Sequence, residues 1–317
     1  MLPRVDTDDE WDAVVPDEAV MRPGVAALCT RLGIRADPLT RYPAGSQPVY
    51  AVGDRYVLKL FPAVTADDGA TEARVLTHLQ GQLPIPTPYV HDAGEYENGW
   101  RYVLMSRLRG TDLAVTWPRI PRADQDRIAT EAGETLAALH ALDPAPLAGV
   151  LGPGDWAAFL DRQRTTAVAR QRAHGLPELW LEQIPGYLAS TAPAAPAAPA
   201  APAAHEPGVL LHTEFMRQHL TVDEHDDWRL TGLLDFEPAM IGQRAYDFVA
   251  VGLFVSRADP RLLSRILRAY GTTFTPTELL THTLLHIYSN LPRYLRELPA
   301  PPEPTLDSLA ETWFGAG

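Results

Sequence analysis

Lys59 and Glu72 both fall on faces of their elements that should be buried, and this pair constrains the fold more than any other feature. The residues Tyr56-Val57-Leu58-Lys59-Leu60-Phe61 are strand formers, and a period of two puts Lys59 on the face of Val57 and Phe61. The segment Asp67 to Gln80 reads as a helix opened by acids, with Val75, Leu76 and Leu79 apolar. Glu72 lies four positions before Leu76 and seven before Leu79, so it shares their face. A carboxylate there is costly unless a cation answers it. On the adjacent strand the only inward-pointing base is Lys59. Strand and helix should therefore pack with an ion pair in the seam between them. Of the 27 basic residues 26 are arginine, and Lys59 is the one lysine; asparagine is almost as scarce, at Asn98 and Asn290 only. A coding bias towards arginine explains that background. A lysine kept against it points to a position needing a compact ammonium that a planar guanidinium cannot replace.

The segments around this pair form an ordered series. Met21 to Ile34 reads as a helix, with Pro23 early and Gly33 near its end. Three short strands follow, Leu39–Tyr42, Pro48–Val52 and Arg55–Phe61, separated by the turns Pro43-Ala44-Gly45-Ser46 and Gly53-Asp54. After the helix of Glu72, the residues Pro84, Pro86 and Pro88 break the chain before strands Tyr89–Tyr96 and Trp100–Ser106. The order is helix–β–β–β–α–β–β, built of antiparallel hairpins without βαβ crossovers. The remainder reads as mostly helical, with Ala123–Leu142, Trp156–His174 and Pro177–Ser190 as helices. Pro193, Pro196, Pro199 and Pro202 then recur every third residue, which marks 192–204 as a polyproline-II surface linker. Short strands at Val209–Leu211, Leu220–Val222 and Arg229–Leu234 precede a helical run from Ala245–Val255 to the end. An α+β chain with an N-terminal lobe over 1–105 and a C-terminal lobe over 106–317 is expected, as befits 317 residues.

Composition removes several classes of function. Forty acids against 27 bases give a formal charge of −13, which argues against nucleic acid as a partner. A single cysteine, Cys29, excludes a disulfide framework and a thiolate zinc cluster. The acidic N-terminus lacks the apolar core of a signal peptide, and the longest apolar run, Phe248 to Val255, is too short to span a bilayer. A cytoplasmic protein without a membrane partner is expected; the sequence leaves the oligomeric state open.

A second cluster of chemistry lies beyond the linker. The apolar strand Gly208-Val209-Leu210-Leu211 runs into His212-Thr213-Glu214-Phe215-Met216-Arg217-Gln218-His219, and Leu234-Asp235-Phe236-Glu237 follows after a polar turn. If 220–222 and 230–234 pair as a hairpin, His219 and Asp235 fall opposite each other, with Glu214 a few residues upstream. Three metal-binding or proton-transfer groups would then share one sheet edge. A strand lysine held by a helix glutamate beside a hairpin loop is the phosphate-positioning device of the protein-kinase fold. A structural ion pair and a solvated loop edge are the plain alternatives.

These motifs resemble the aminoglycoside phosphotransferase and choline kinase family, whose pattern is His-Gly-Asp-aromatic-x-x-x-Asn followed by apolar-Asp-Phe-acid. Here His212-Thr213-Glu214-Phe215-x-x-x-His219 and Leu234-Asp235-Phe236-Glu237 keep the spacing, with Glu214 in place of the catalytic Asp and His219 in place of the metal-binding Asn. Leu104-Met105-Ser106-Arg107 with Gly110-Thr111, and the long helical C-terminus, are similar to hygromycin-type phosphotransferases. The resemblance, over roughly residues 35–290, implies a bilobal protein-kinase-like fold with a small antiparallel-sheet N-lobe and a mainly helical C-lobe. It implies ATP or GTP as phosphoryl donor, Mg²⁺ or Mn²⁺, and a hydroxyl acceptor such as an aminoglycoside-like antibiotic. By position Glu214 would be the catalytic carboxylate. Lys59, Glu72, Ser46, Ser106 and Leu108 would bind nucleotide, the last two through backbone groups at the hinge Tyr102–Leu108. Asp235 and His219 would hold the metal. Leu136–His140 and Gly242-x-x-x-Tyr246-Asp247 fit as well, the latter as a structural anchor. Asp155, Glu178 and Glu182 lie on helices on the substrate side, where a cationic acceptor would meet them. A nucleotide-binding pseudokinase, and a metallohydrolase using His212, Glu214 and His219, are the competing readings.

Overall fold

Alternation of apolar residues along four of the first five strands gives a sheet with two unlike faces. The structure, a computed structural model, describes residues 1–43, 45–191 and 207–316; the Pro/Ala tract at 192–204 lies outside the described residues. Two compact units emerge, one of residues 1–110 with 231–239, the other of 111–230 with 240–317.

The first unit opens with α1 (Asp8–Val14), which the sequence reading passed over, started by a Thr7–Glu10 capping box. In α2 (Glu18–Arg31) the N-cap is Asp17, which accepts a hydrogen bond from the Ala19 N–H. The helix thus begins before the expected Met21, and Pro23 sits inside it. A five-stranded antiparallel sheet follows, of β1 (Leu39–Arg41), β2 (Val49–Val52), β3 (Tyr56–Phe61), β4 (Val90–Glu95) and β5 (Arg101–Ser106), in the order β1-β2-β3-β5-β4. One face, with Tyr50, Leu58, Leu60, Tyr102 and Leu104, shares a core with Met21, Val25 and Leu28 of α2. The other face carries Lys59. It meets α3 (Ala66–Leu79), whose buried residues are Gly69, Glu72, Val75, Leu76 and Leu79.

The second unit is mainly helical. The short strand β6 (Thr111–Asp112) and α4 (Leu113–Thr116) lead to α5 (Arg122–Ala141) and α6 (Trp156–Ala173). The single helix expected over Pro177–Ser190 is two, α7 (Glu178–Leu181) and α8 (Ile184–Ser190), because Pro185 enters at the start of the second. Strand β7 (Val209–Leu211) and, after a 3₁₀ turn at Arg217–His219, β8 (Leu220–Asp223) carry the second motif. β8 pairs with β6 and neighbours β9 (Arg229–Leu233), along which the chain passes to the first unit. On returning it forms β10 (Met240–Gly242), a strand with no counterpart in the sequence reading, paired antiparallel with β7. The helix expected from Ala245 is a short α9 (Asp247–Ala250) continued by a π-helical turn over Val251–Ser256. Helices α10 (Pro260–Tyr270), α11 (Pro276–Leu285), α12 (Leu291–Glu297) and α13 (Leu306–Phe314) complete the unit. α10 crosses α5 at Gly133, where a Cβ would lie 2.4 Å from the Ile266 carbonyl oxygen. Among the described residues no helix is long and apolar enough to cross a membrane.

Candidate active site

Lys59 lies on the central strand of the first unit, in register with Val49 of β2 and Val103 of β5. α3 approaches this strand through Gly69, where a Cβ would stand 2.6 Å from the Phe61 ring. The close approach sets Glu72, one turn further along, over the lysine. Lys59 Nζ is 2.9 Å from Glu72 Oε2, 2.5 Å from Asp235 Oδ1 and 2.7 Å from Glu237 Oε2. Lys59 is only 6% exposed and Glu72 2%, so this is a buried salt cluster and not a surface pair. Asp235 and Glu237 arrive on the segment 231–239. The Leu233 N–H donates to the Pro86 carbonyl at 3.0 Å, and the Thr231 hydroxyl to the Arg109 carbonyl at 2.8 Å. The Ser46 hydroxyl, from the turn between β1 and β2, donates to Glu237 Oε1 at 3.2 Å.

One ammonium thus answers three carboxylates. Burial works against the charged form of Lys59, but Glu72, Asp235 and Glu237 outweigh it and hold its pKa well above the ordinary value. Burial pushes Glu72 up to about 7 against the pull of Lys59, with Asp235 and Glu237 adding to the rise. Glu237 is raised as well, again chiefly by burial. One carboxylate oxygen each from Glu72, Asp235 and Glu237 lie within 4.8 Å of one another. These are hard oxygen donors, and a surplus of negative charge beside a single lysine suits a divalent cation such as Mg²⁺.

At the end of β5, Ser106 is committed to Tyr89: its N–H donates to the Tyr89 carbonyl, and its hydroxyl accepts from the Tyr89 N–H, both at 2.8 Å. The Arg107 N–H donates to the Arg55 carbonyl. Among the described residues, the backbone N–H and C=O of Leu108 take no hydrogen bond from the protein. Leu108 can thus offer a base the donor that Ser106 has already spent.

The second unit holds the loop that leaves β7. Its anchor is Asp247, fully buried at the start of α9. Asp247 accepts the His212 N–H at 2.9 Å, the Thr213 N–H at 2.5 Å, and the Nε2–H of His140 at 2.9 Å. His140, near the end of α5, also meets the Tyr270 hydroxyl through Nδ1 at 2.7 Å. Burial alone would raise the Asp247 pKa, but His140 and the His212 amide win and lower it. The next residue, Thr213, has φ +66°, the left-handed region that glycine occupies at little cost. Glu214 follows. Its backbone carbonyl lies 2.9 Å from His219 Nδ1, which must then carry the proton, leaving Nε2 as the ring atom with a lone pair. Between them Arg217 turns inward, gives Nε and Nη2 to the Val255 carbonyl at the π-helical turn, and lies 3.7 Å over the Trp117 ring. His212 stacks on His219 with ring centroids 5.8 Å apart. Among the described residues His212 joins no cluster of three metal-type ligands.

Sequence reasoning missed Arg217 and the Ser46–Glu237 contact. An acid two places after Asp235 was the available signal for the latter. The acids expected on the substrate side have local duties: Asp155 caps α6 by accepting the Ala158 N–H, and Glu178 pairs with Arg172 at 3.1 Å.

Residues 39–280 match the model of the phosphotransferase enzyme family known as APH. The chain belongs to this family. The resemblance read from the motifs, and the kinase-like α+β fold, are therefore established. Among solved structures, the GDP complex of a wild-type aminoglycoside 2'-phosphotransferase-IIIa is 18% identical, covering 85% of this chain and 88% of that one at a TM-score of 0.67. A thermostable mutant of the phosphotransferase APH(4)-Ia, in a ternary complex with AMP-PNP and hygromycin B, is 20% identical, covering 81% and 86% at a TM-score of 0.58. These likenesses bear on the fold. A lysine-specific demethylase, JMJ21 of Arabidopsis thaliana, is 22% identical over 202 residues, which are 54% of this chain but only 21% of that protein. The chain thus spans about a fifth of that relative.

Proposed function

We propose that this phosphotransferase is a small-molecule kinase that moves the γ-phosphoryl group of ATP or GTP to a hydroxyl of an aminoglycoside-like or other antibiotic. The observation that carries the reading is the lone lysine, buried on a central strand and paired with both a helix glutamate and the aspartate of Leu234-Asp235-Phe236-Glu237. The nucleotides held by the solved relatives, GDP and AMP-PNP, and the hygromycin B beside the latter, support a purine nucleotide and an aminoglycoside acceptor.

Lys59 would contact α/β-phosphate oxygens while Glu72 keeps its ammonium aimed. Ser46 would lend its hydroxyl to the phosphates, and Leu108, with the hinge backbone at Ser106, would meet the base. Asp235, Glu237 and His219 would hold a divalent cation, which would supply positive charge to the phosphates. Imidazole favours softer ions, so Mn²⁺ would serve at least as well as Mg²⁺. The acceptor oxygen forms a bond to the γ-phosphorus as the bond to the β–γ bridging oxygen breaks and the nucleoside diphosphate leaves. Glu214 takes the acceptor's hydroxyl proton and passes it to solvent. Free glutamate and aspartate carboxyls differ little in basicity, so the role turns on correct placement.

The Glu214 and His219 substitutions favour one second reading, a pseudokinase that binds nucleotide and transfers little. The test is purified protein with ATP or GTP, Mg²⁺ or Mn²⁺, and a panel of aminoglycosides. Acceptor-dependent diphosphate release and an acceptor heavier by one phosphoryl group are expected. Binding without transfer leaves the pseudokinase; no binding of either nucleotide overturns both. Zinc retained through purification would instead support the metallohydrolase of His212, Glu214 and His219.

A further inference from the structure

His286 lies at the end of α11, more than 70 positions along the chain from the loop of Glu214, and nothing in the sequence singled it out. The ring is buried, 5% exposed, and stacks on Tyr246 with centroids 4.4 Å apart and planes at 19°. Tyr246 is itself fixed, its hydroxyl accepting the Ile287 N–H at 2.9 Å. The two ring nitrogens of His286 have different neighbours, and these decide the tautomer. The Tyr288 N–H points at Nδ1 from 3.2 Å, so Nδ1 must be an acceptor without a proton. Nε2 therefore carries the hydrogen, and it faces the Thr213 carbonyl oxygen at 3.2 Å. Burial pulls the ring pKa down to about 4, in keeping with a neutral imidazole.

Thr213 is thereby held from both sides. Its N–H goes to Asp247 Oδ1 and its C=O to His286 Nε2–H, while its φ is +66°. A β-branched residue persists in that region only when its surroundings over-determine it. Glycine would need no such clamp. The amide clamp belongs to α9 and the carbonyl clamp to the end of α11, so two separate elements fix the peptide from which Glu214 departs.

We propose that His286 is a positioning residue for phosphoryl transfer: its Nε2–H holds the Thr213 carbonyl and so fixes the direction in which Glu214 leaves the loop. This rests on the reading of Glu214 as the catalytic carboxylate. The histidine touches no reacting atom. Its effect passes through one peptide unit, and misplacement of a catalytic group by about 1 Å is enough to lower a rate about a hundredfold.

Two variants of the full chain separate hydrogen bonding from packing. His286→Phe keeps the ring stacked on Tyr246 but has no donor. His286→Gln loses the ring but offers an amide N–H near the place of Nε2. Hydrogen exchange over the peptide His212–Phe215 should quicken about tenfold or more in His286→Phe and stay within about threefold of wild type in His286→Gln. Turnover should follow the same order: kcat down about tenfold in the Phe variant with nucleotide KM unchanged, and largely restored by Gln. Unchanged exchange in His286→Phe, or equal losses in both variants, would overturn the proposal. Faster exchange with wild-type kcat would overturn it too. If even wild type transfers nothing, the kinase reading fails while the exchange data still decide the clamp. Should the Phe variant not fold, nitrogen-15 spectra of histidine-labelled wild type at pH 7 decide, with the resonance lost in His286→Gln as the assignment. A protonated Nε2 and bare Nδ1 sustain the clamp; the opposite tautomer sinks it.

Discussion

The first unit fixes its functional groups with ion pairs between side chains and the second with hydrogen bonds to backbone peptide groups. Lys59 sits among Glu72, Asp235 and Glu237, its three contacts with them are ionic, and the lysine and Glu72 are buried. Glu214 leaves a loop whose backbone is pinned by Asp247, itself held by His140, and by His286, and these clamps act on peptide groups. The difference suits the tasks proposed for Lys59 and Glu214. A phosphate-binding ammonium must be able to change partners when a polyanion arrives, and ion pairs exchange partners without geometric penalty. A carboxylate that must meet one proton needs a fixed direction, which backbone hydrogen bonds supply.

The comparison is broken most strongly at Asp247. Asp247→Ala removes the acceptor of three buried donors and should lower stability by about 3–5 kcal/mol, read by urea or thermal unfolding. A loss below about 1 kcal/mol would mean that the loop is held by something other than its anchor. The next effect is a pH dependence that the second unit contributes. His282 is buried, its Nδ1 has no hydrogen-bond partner among the described residues, and burial lowers its pKa to about 4. Between the ordinary value near 6.5 and 4, the unfolded chain takes up a proton that the folded ring refuses. Stability from this group is complete above pH 6.5 and is lost as pH falls towards 4. At about 1.4 kcal/mol per unit the ceiling is about 3 kcal/mol. His282→Phe should reduce the slope of unfolding midpoints over that window, leaving the part that His286 contributes, and a slope matching wild type would show that folding does not shift the His282 ring.

In the first unit, Lys59→Met should leave the fold intact, because Glu72 is already poised to take a proton. Productive nucleotide use should drop about tenfold or more. Wild-type turnover and nucleotide affinity in this variant would remove Lys59 from the phosphate site. Smallest is the effect expected of His219→Asn, a shift of about threefold in the Mn²⁺-to-Mg²⁺ activity ratio towards Mg²⁺. Superimposable metal-dependence curves for the two proteins would take His219 out of the metal site.

The ionic cluster was legible where periodicity could speak. Alternation placed Lys59 on the inner face of its strand, and helical spacing placed Glu72 on the face that turns out buried. The chain's near-total use of arginine made the lysine conspicuous. Glu237 was harder to read, because its meeting with Lys59 depends on the segment 231–239 rejoining the first unit through hydrogen bonds at Pro86 and Arg109. The clamps on the Glu214 loop were the least legible. His286 and Arg217 act on carbonyl groups of Thr213 and Val255, and a carbonyl has no letter in a sequence. The missed strand β10 has the same cause: three residues set beside β7 by long-range pairing carry no local signal. Proline was informative locally, splitting α7 from α8, yet Pro23 lies within α2.

The solitary lysine also gives the chain an unusual chemical property. Apart from a terminus, Lys59 Nζ is the only primary amine, so any acylating reagent, crosslinker or aldehyde that acts on side-chain amines can label one place. At rest that amine is buried and protonated, and hence a poor nucleophile. The speed with which it is labelled would then count how often the carboxylates let go of it, and a nucleotide carrying an acyl phosphate would mark a single, known atom.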